Sequence, residues 1–209
     1  MKKYVRTIVS VLVVMLMAIP LFNHPISAAT GSQGYAVYRD GVLNGLNWHT
    51  GIMYDPSRHT SSLPVIHHPG NGYARFGTWD QFMDGKTFMG VYGPKGGISS
   101  VCRDLVKSMS LKIATDQISY YFGGQMIVNP AVYSSGQAKI EPKDITHFRC
   151  DGVVEYCYEY YNYRIYGIDA WWNISKNNYD NVYHHNNIVT ISPYLQATQY
   201  MTKISSVLP

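Results

Sequence analysis

Phe148-Arg149-Cys150-Asp151-Gly152-Val153-Val154-Glu155-Tyr156-Cys157-Tyr158 is the stretch on which the reading of this chain turns. From Cys150 onward, the apolar or semi-apolar positions fall at Cys150, Val153, Val154, Cys157, Tyr158 and Tyr161. That is the i, i+3, i+4, i+7 rhythm of one helical face, with Glu155, Glu159 and Asn162 on the other. The pattern predicts a helix that opens at Cys150, with the thiol on the stripe facing the interior. Unpaired backbone N–H groups and the positive end of the helix dipole favour a thiolate there. Arg149 is expected to push the same way. A buried free cysteine otherwise behaves as a small hydrophobe, so a chemical role needs partners elsewhere in the chain.

The partners to look for are imidazoles. Trp48-His49-Thr50-Gly51-Ile52-Met53-Tyr54 reads as a strand ended by the turn signal Asp55-Pro56-Ser57. Leu63-Pro64-Val65-Ile66-His67-His68 reads as the next strand, closed by Pro69-Gly70-Asn71-Gly72. The turn-rich link predicts an antiparallel pair. Side chains alternate, so only one of His67 and His68 can share a face with His49. A nucleophilic cysteine needs a base, and the base needs a third polar group to hold its tautomer. His184 and His185 are rival partners, without the strand context of His49.

Between these elements, Tyr73–Phe76 and Phe88–Tyr92 read as further strands and Thr78–Met83 as a short helical turn. Ile98, Val101, Cys102, Leu105, Val106 and Met109 fall at helical spacing, which predicts an amphipathic helix with Cys102 on its apolar face. Tyr120-Tyr121-Phe122-Gly123-Gly124 places a tyrosine before two permissive glycines, and Asn129–Asp144 reads as a polar loop. Ala170–His185 is aromatic and amide-rich, expected at the surface. Ser192-Pro193 is an N-cap followed by proline at the first helical position, so a short terminal helix is expected.

Gly93-Pro94-Lys95-Gly96-Gly97 lacks the G-K-[ST] ending of a phosphate loop, and there is no H-E-x-x-H and no paired C-x-x-C. Adjacent histidines on a strand point to opposite faces and do not readily share a metal. Neither a cofactor nor a metal is expected.

The chain has 209 residues, with 17 Lys plus Arg against 13 Asp plus Glu. Lys2, Lys3 and Arg6 precede an apolar run, Thr7–Phe22, and Ser27-Ala28-Ala29 supplies small residues. This is the pattern of a secretory signal peptide over residues 1–29, cleaved after Ala29. Without it the formal charge falls from +4 to +1, and nucleic-acid binding through a basic patch loses its support. Residues 30–209 suit one domain, with no stable membrane span after cleavage. The expected location is secreted or extracellular, in association with the cell wall. Three cysteines leave at least one unpaired, and Cys150 and Cys157 stand about two helical turns apart, roughly 10 Å, too far to bridge. The pairing of Cys102 stays open.

These pieces resemble a known family. His49-Thr50-Gly51-Ile52-Met53-Tyr54 is similar to the H-x-G-I-Y strand of NlpC-type cell-wall peptidases, within the papain-like superfamily. Cys150-Asp151-Gly152-Val153-Val154 resembles their C-S-G-hydrophobic helix start, with Asp151 where serine is commoner, and Tyr120–Gly124 their Y-x-W-G-G segment. The histidine strand precedes the cysteine, which is the order of the circularly permuted branch, the YiiX-type hydrolases and lecithin retinol acyltransferase. Val65-Ile66-His67 resembles the strand that supplies that branch's third polar residue, which favours His67 over His68.

The resemblance implies an α+β fold, an antiparallel sheet or partial barrel packed against helices. It implies a cysteine peptidase or amidase: Cys150 attacks a carbonyl, His49 moves the proton, and His67 orients His49. The Asp151 backbone N–H and the Tyr120 hydroxyl are the oxyanion candidates. The implied substrate is a peptide amide, in peptidoglycan. Two alternatives stand beside it: a lipid acyltransferase or thioesterase of the same permuted superfamily, and a non-catalytic wall-binding module.

Overall fold

The computed structural model describes residues 31–41, 48–56, 63–167 and 191–209. The leader and the Ala170–His185 stretch, with His184 and His185, lie outside the described residues.

The chain builds an antiparallel sheet packed against helices on both faces. In chain order, β1 (Ala36–Arg39), β2 (His49–Met53), β3 (Val65–His67) and β4 (Arg75–Gly77) lead to the short helix α1 (Trp79–Met83). Then come β5 (Phe88–Pro94), α2 (Ser100–Thr115), β6 (Ser119–Tyr120), β7 (Met126–Val128), β8 (Ile145–Phe148) and α3 (Cys150–Glu159). A short helix α4 (Pro193–Leu195) runs into a π-helical turn, Gln196–Tyr200, and the last strand, β9 (Met201–Ser205).

The main sheet has the order β4-β3-β2-β1-β5-β9, with every pairing antiparallel. A small second sheet has the order β6-β8-β7 and delivers the chain directly into α3. Strand alternation sorts the side chains of the main sheet into two cores. Ala36, Tyr38 and Ile52 face Val106, Met109 and Ile113 of α2 and Val153, Val154 and Cys157 of α3. Val37, Met53, Val65 and Val91 face the other way, onto Phe82 of α1. A Thr78–Gln81 capping box starts α1, and the Ser192 hydroxyl caps α4 by accepting from the Leu195 N–H.

Helix α3 departs from its expected amphipathic form. Every residue from Cys150 to Glu159 is buried, including Glu155 and Glu159 at 1% exposure. The second sheet and the C-terminal segment close over the side that the sequence marks as polar, and they bring hydrogen-bonding groups with them. Tyr156 donates to the Ile140 carbonyl at 2.7 Å and Tyr158 to the Gly34 carbonyl at 2.9 Å, so their rings are buried without stranding a hydroxyl. Burying Val153 and Val154 completely contributes about 1.5–3 kcal/mol each by transfer alone.

The expectation for Cys102 also fails. Helix α2 buries Val106, Met109, Ser110 and Ile113, while Val101 and Leu105 are exposed and Cys102 is only half-buried. The buried stripe lies in the helix's C-terminal half. The Asn129–Asp144 loop holds two short 3-10 turns, Pro130–Ser134 and Pro142–Asp144.

Candidate active site

The sheet places His49 directly across from Arg39 on β1, and pairs Gly51 with His67 on β3. His49, Gly51 and His67 therefore share the α1 face. Their rings meet there: His49 Nε2 lies 2.8 Å from His67 Nδ1, and Phe82 touches both imidazoles at centroid distances of 5.5 and 5.6 Å. Two glycines make the room. A Cβ on Gly51 would lie 2.6 Å from the Ile66 carbonyl oxygen, and one on Gly77 would lie 2.6 Å from His67 Nε2.

His68 goes the other way. Its Nε2 bonds the Ile118 carbonyl at 3.0 Å and its ring packs on Tyr120, with centroids 4.9 Å apart. Of the two adjacent histidines, His67 is the one that reaches His49.

Strand β3 pairs with β2 only from Gly51 to Met53, so the β3 side of His49 and Thr50 is open. The N-terminal tip of α3 comes to this opening, and the backbone N–H groups of Thr50 and Asp151 point at the Cys150 sulfur. The Thr50 nitrogen is bonded to the carbonyl carbon of His49. The thiol thus sits beside the main chain of the histidine whose Nε2 is engaged by His67. Tyr120 arrives across the small sheet, where it pairs with Phe148, two residues before Cys150. The distance in sequence between Tyr120 and Cys150 is closed by the β6–β8 pairing.

The electrostatics reverse one expectation. Burial pushes the Cys150 thiol up to about 12, and Asp151 adds to the rise. Arg149 and the two N–H groups pull down without prevailing. The reason lies in the pairing of Arg149, whose Nε and Nη2 donate to the two Asp151 carboxylate oxygens at 2.6 and 2.7 Å. Arg149 neutralises Asp151 and has little field left for the sulfur. Burial also lowers His49 well below the ordinary imidazole value, with His67 and Arg39 acting in the same direction, and takes His67 down to about 3. At rest the thiol and both imidazoles are neutral.

A buried polar network anchors the helix start, and no motif in the sequence announces it. Gln125 Nε2 donates to Asp151 at 3.2 Å and to Glu155 at 2.6 Å. Gln196 Nε2 donates to the Asp151 carbonyl at 3.0 Å and to Glu155 at 3.1 Å, while its Oε1 accepts from the Tyr38 hydroxyl at 2.8 Å. The Gln125 carbonyl accepts from the Arg149 N–H at 2.9 Å, and a Cβ on Gly152 would collide with that carbonyl. Gly152 is thus required by the close approach of Gln125.

Comparison with known protein families, curated proteins and solved structures finds no significant match to this chain. The site is therefore read from its own geometry. All three cysteines are free thiols. Among the described residues, no group of three His, Cys, Asp or Glu side chains is placed to hold a metal ion, and no helix is long and apolar enough to cross a membrane. A cavity of about 590 Å³ lined by Lys95, Gly97, Tyr163, Arg164 and Tyr200 lies past the C-terminal end of α3. None of the thiol and imidazole groups described above lines it, and the candidate chemistry belongs to the opposite end of the helix.

Proposed function

We propose that this protein is a thiol hydrolase of the circularly permuted NlpC type, papain-like in fold, which cleaves an amide bond through a thioester. The observation that carries the reading is the approach of Cys150 to the main chain of His49, whose Nε2 is held by His67. With its Nε2 proton donated to His67 Nδ1, His49 presents Nδ1, the nitrogen nearer the main chain, as the base.

The Cys150 S–H proton passes to His49 Nδ1 as the sulfur bonds to the substrate carbonyl carbon. The same proton goes to the departing amide nitrogen as the C–N bond breaks, leaving a thioester. Water, losing a proton to His49, then attacks the thioester and releases the acid and the thiol. The Asp151 N–H and the Tyr120 hydroxyl are the donors assigned to the oxyanion. His67, neutral down to about pH 3, accepts from the imidazolium without competing for its charge. Export through the residue 1–29 leader, association with the cell wall and a peptidoglycan peptide as substrate belong to the same proposal. They rest on the leader pattern and on the resemblance of the His49 and Cys150 motifs.

One observation favours the non-catalytic wall-binding alternative: Cys150 is only 6% exposed and its thiol is neutral at rest. Acyl trapping with p-nitrophenyl acetate separates the two. The hydrolase gives a burst of p-nitrophenol and an acetyl adduct on Cys150 by peptide mass spectrometry. Cys150→Ser removes the adduct, and His49→Ala slows its formation by about 10²–10⁴-fold. No adduct on Cys150, or one indifferent to His49, would leave the binding module as the better reading.

A further inference from the structure

Arg39 is a cation of this site that the reaction described above does not use. It stands directly across the sheet from His49, and the β1–β5 register shifts between Tyr38 and Arg39. Such irregularities bend a strand locally and re-aim a side chain, often beside an active site. Its side chain is 12% exposed, yet its charge is poorly matched. Nη1 donates to the neighbouring Asp40 carbonyl at 2.9 Å, and Nη2 stands 3.8 Å from Asp84, whose side chain is 67% exposed. A solvated pair at that separation contributes little. Nε is buried and has no hydrogen-bond partner among the described residues.

The contrast with Arg149 is informative. That guanidinium is more deeply buried, and it is satisfied by two short bonds to Asp151 and one to the Ile191 carbonyl at 2.8 Å. A mostly buried guanidinium with an unpaired N–H costs free energy that an incoming anion would recover. The charge lies within electrostatic reach of the whole site: it lowers the pKa of His49 and of His67, and Cys150 acts on Arg39 in turn.

We propose that Arg39 is the anion-recognition residue of the Cys150 site, and that the substrate carries a carboxylate close to the scissile carbonyl. The guanidinium fork matches a carboxylate in both charge and geometry. The inference rests on the thiol-hydrolase reading for the word substrate, while the anion site itself stands on Arg39 alone.

Two alkylating reagents with the same leaving group test it. Iodoacetate carries a carboxylate and iodoacetamide does not. Their rate ratio at Cys150, followed by peptide mass spectrometry, is read against the ratio at the half-buried Cys102 in the same sample. Wild type should favour iodoacetate at Cys150 by about tenfold relative to Cys102, the scale expected of one nearby charge. Arg39→Gln should bring the ratio down to the Cys102 level, and Arg39→Lys should keep part of it. Equal ratios at the two cysteines in wild type, a comparison that needs no variant, would overturn the proposal, as would an unchanged ratio in a folded Arg39→Gln. Acylation of His49→Ala by p-nitrophenyl acetate separates the two readings. If acylation slows while the iodoacetate preference stays intact, both stand. If acylation does not slow while the ratio follows Arg39, the hydrolase reading falls and the anion site survives.

Discussion

Arg149 and Asp151, two residues apart on either side of the nucleophile, close a bidentate ion pair in which the side chains are 4% and 0% exposed. Asp151 lies in the first turn of α3, where a carboxylate also meets the helix dipole favourably. Removing one partner strands the other charge in the interior. Asp151→Asn is expected to cost about 3–5 kcal/mol. The double variant Arg149→Met/Asp151→Leu should recover part of that loss, because no charge is left unpaired, although the Ile191 carbonyl and the Gln125 amide each lose one partner. Urea denaturation of the three proteins checks this, and a single variant as stable as wild type would contradict the pairing.

Gly77 makes no contact with substrate in the proposed reaction, yet it sets the position of His67. A Cβ there would lie 2.6 Å from His67 Nε2, and its backbone needs no left-handed φ. Gly77→Ala should therefore fold and push the imidazole off its 2.8 Å contact with His49. Misplacement of this order costs up to about 10²-fold in rate. The expected result is slower acylation of Cys150 by p-nitrophenyl acetate with little change in melting temperature. Adding Gly77→Ala to His67→Ala should cost nothing more, since both act through one ring.

The local elements of this fold were legible because their signals are local. Val65-Ile66-His67 closed by Pro69-Gly70 reads as a strand, and Thr78 with Gln81 three residues on reads as a helix start. Alternation allows only one of His67 and His68 to share the face of His49, the resemblance favours His67, and the structure sets the His67 ring against His49. Elements whose partners are distant went unread. Strand β6 has only two residues and exists because Phe148 lies beside Tyr120. Glu155 and Glu159 look solvated in sequence, and nothing local says that Gln125 and Gln196 will cover Glu155. Arg149 misled for the same reason. Its nearness to Cys150 is visible in sequence, while its commitment to Asp151 is a matter of side-chain geometry.

That commitment determines how Cys150 should titrate. A thiol at about 12 with no imidazolium beside it reacts through a small thiolate fraction. Iodoacetamide alkylation of Cys150 is expected to rise about tenfold per pH unit from 7 through 10 with no plateau. Cys102, whose pKa is lowered by hydrogen bonds from Ser99 and Tyr163, should level off earlier. A plateau for Cys150 near pH 6 would instead reveal a thiolate–imidazolium pair and contradict the neutral resting site.

His67 makes the protein sensitive to acid. Its folded pKa of about 3 lies below the ordinary 6.5, chiefly through burial, so below 6.5 the unfolded chain takes up a proton that the folded one refuses. The sign is therefore fixed: the folded state is not penalised above pH 6.5, and stability is lost as pH falls from there toward 3. Between pH 8 and pH 5 the loss from this one group is about 2 kcal/mol. His68, held near 4 mainly by burial, adds a loss of the same sign. Urea midpoints at pH 8 and pH 5 should converge in His67→Gln by the His67 share of the difference, whatever that substitution does to stability at pH 8. If the gap between the two midpoints is the same in wild type and His67→Gln, His67 is not the buried neutral acceptor of the His49 proton.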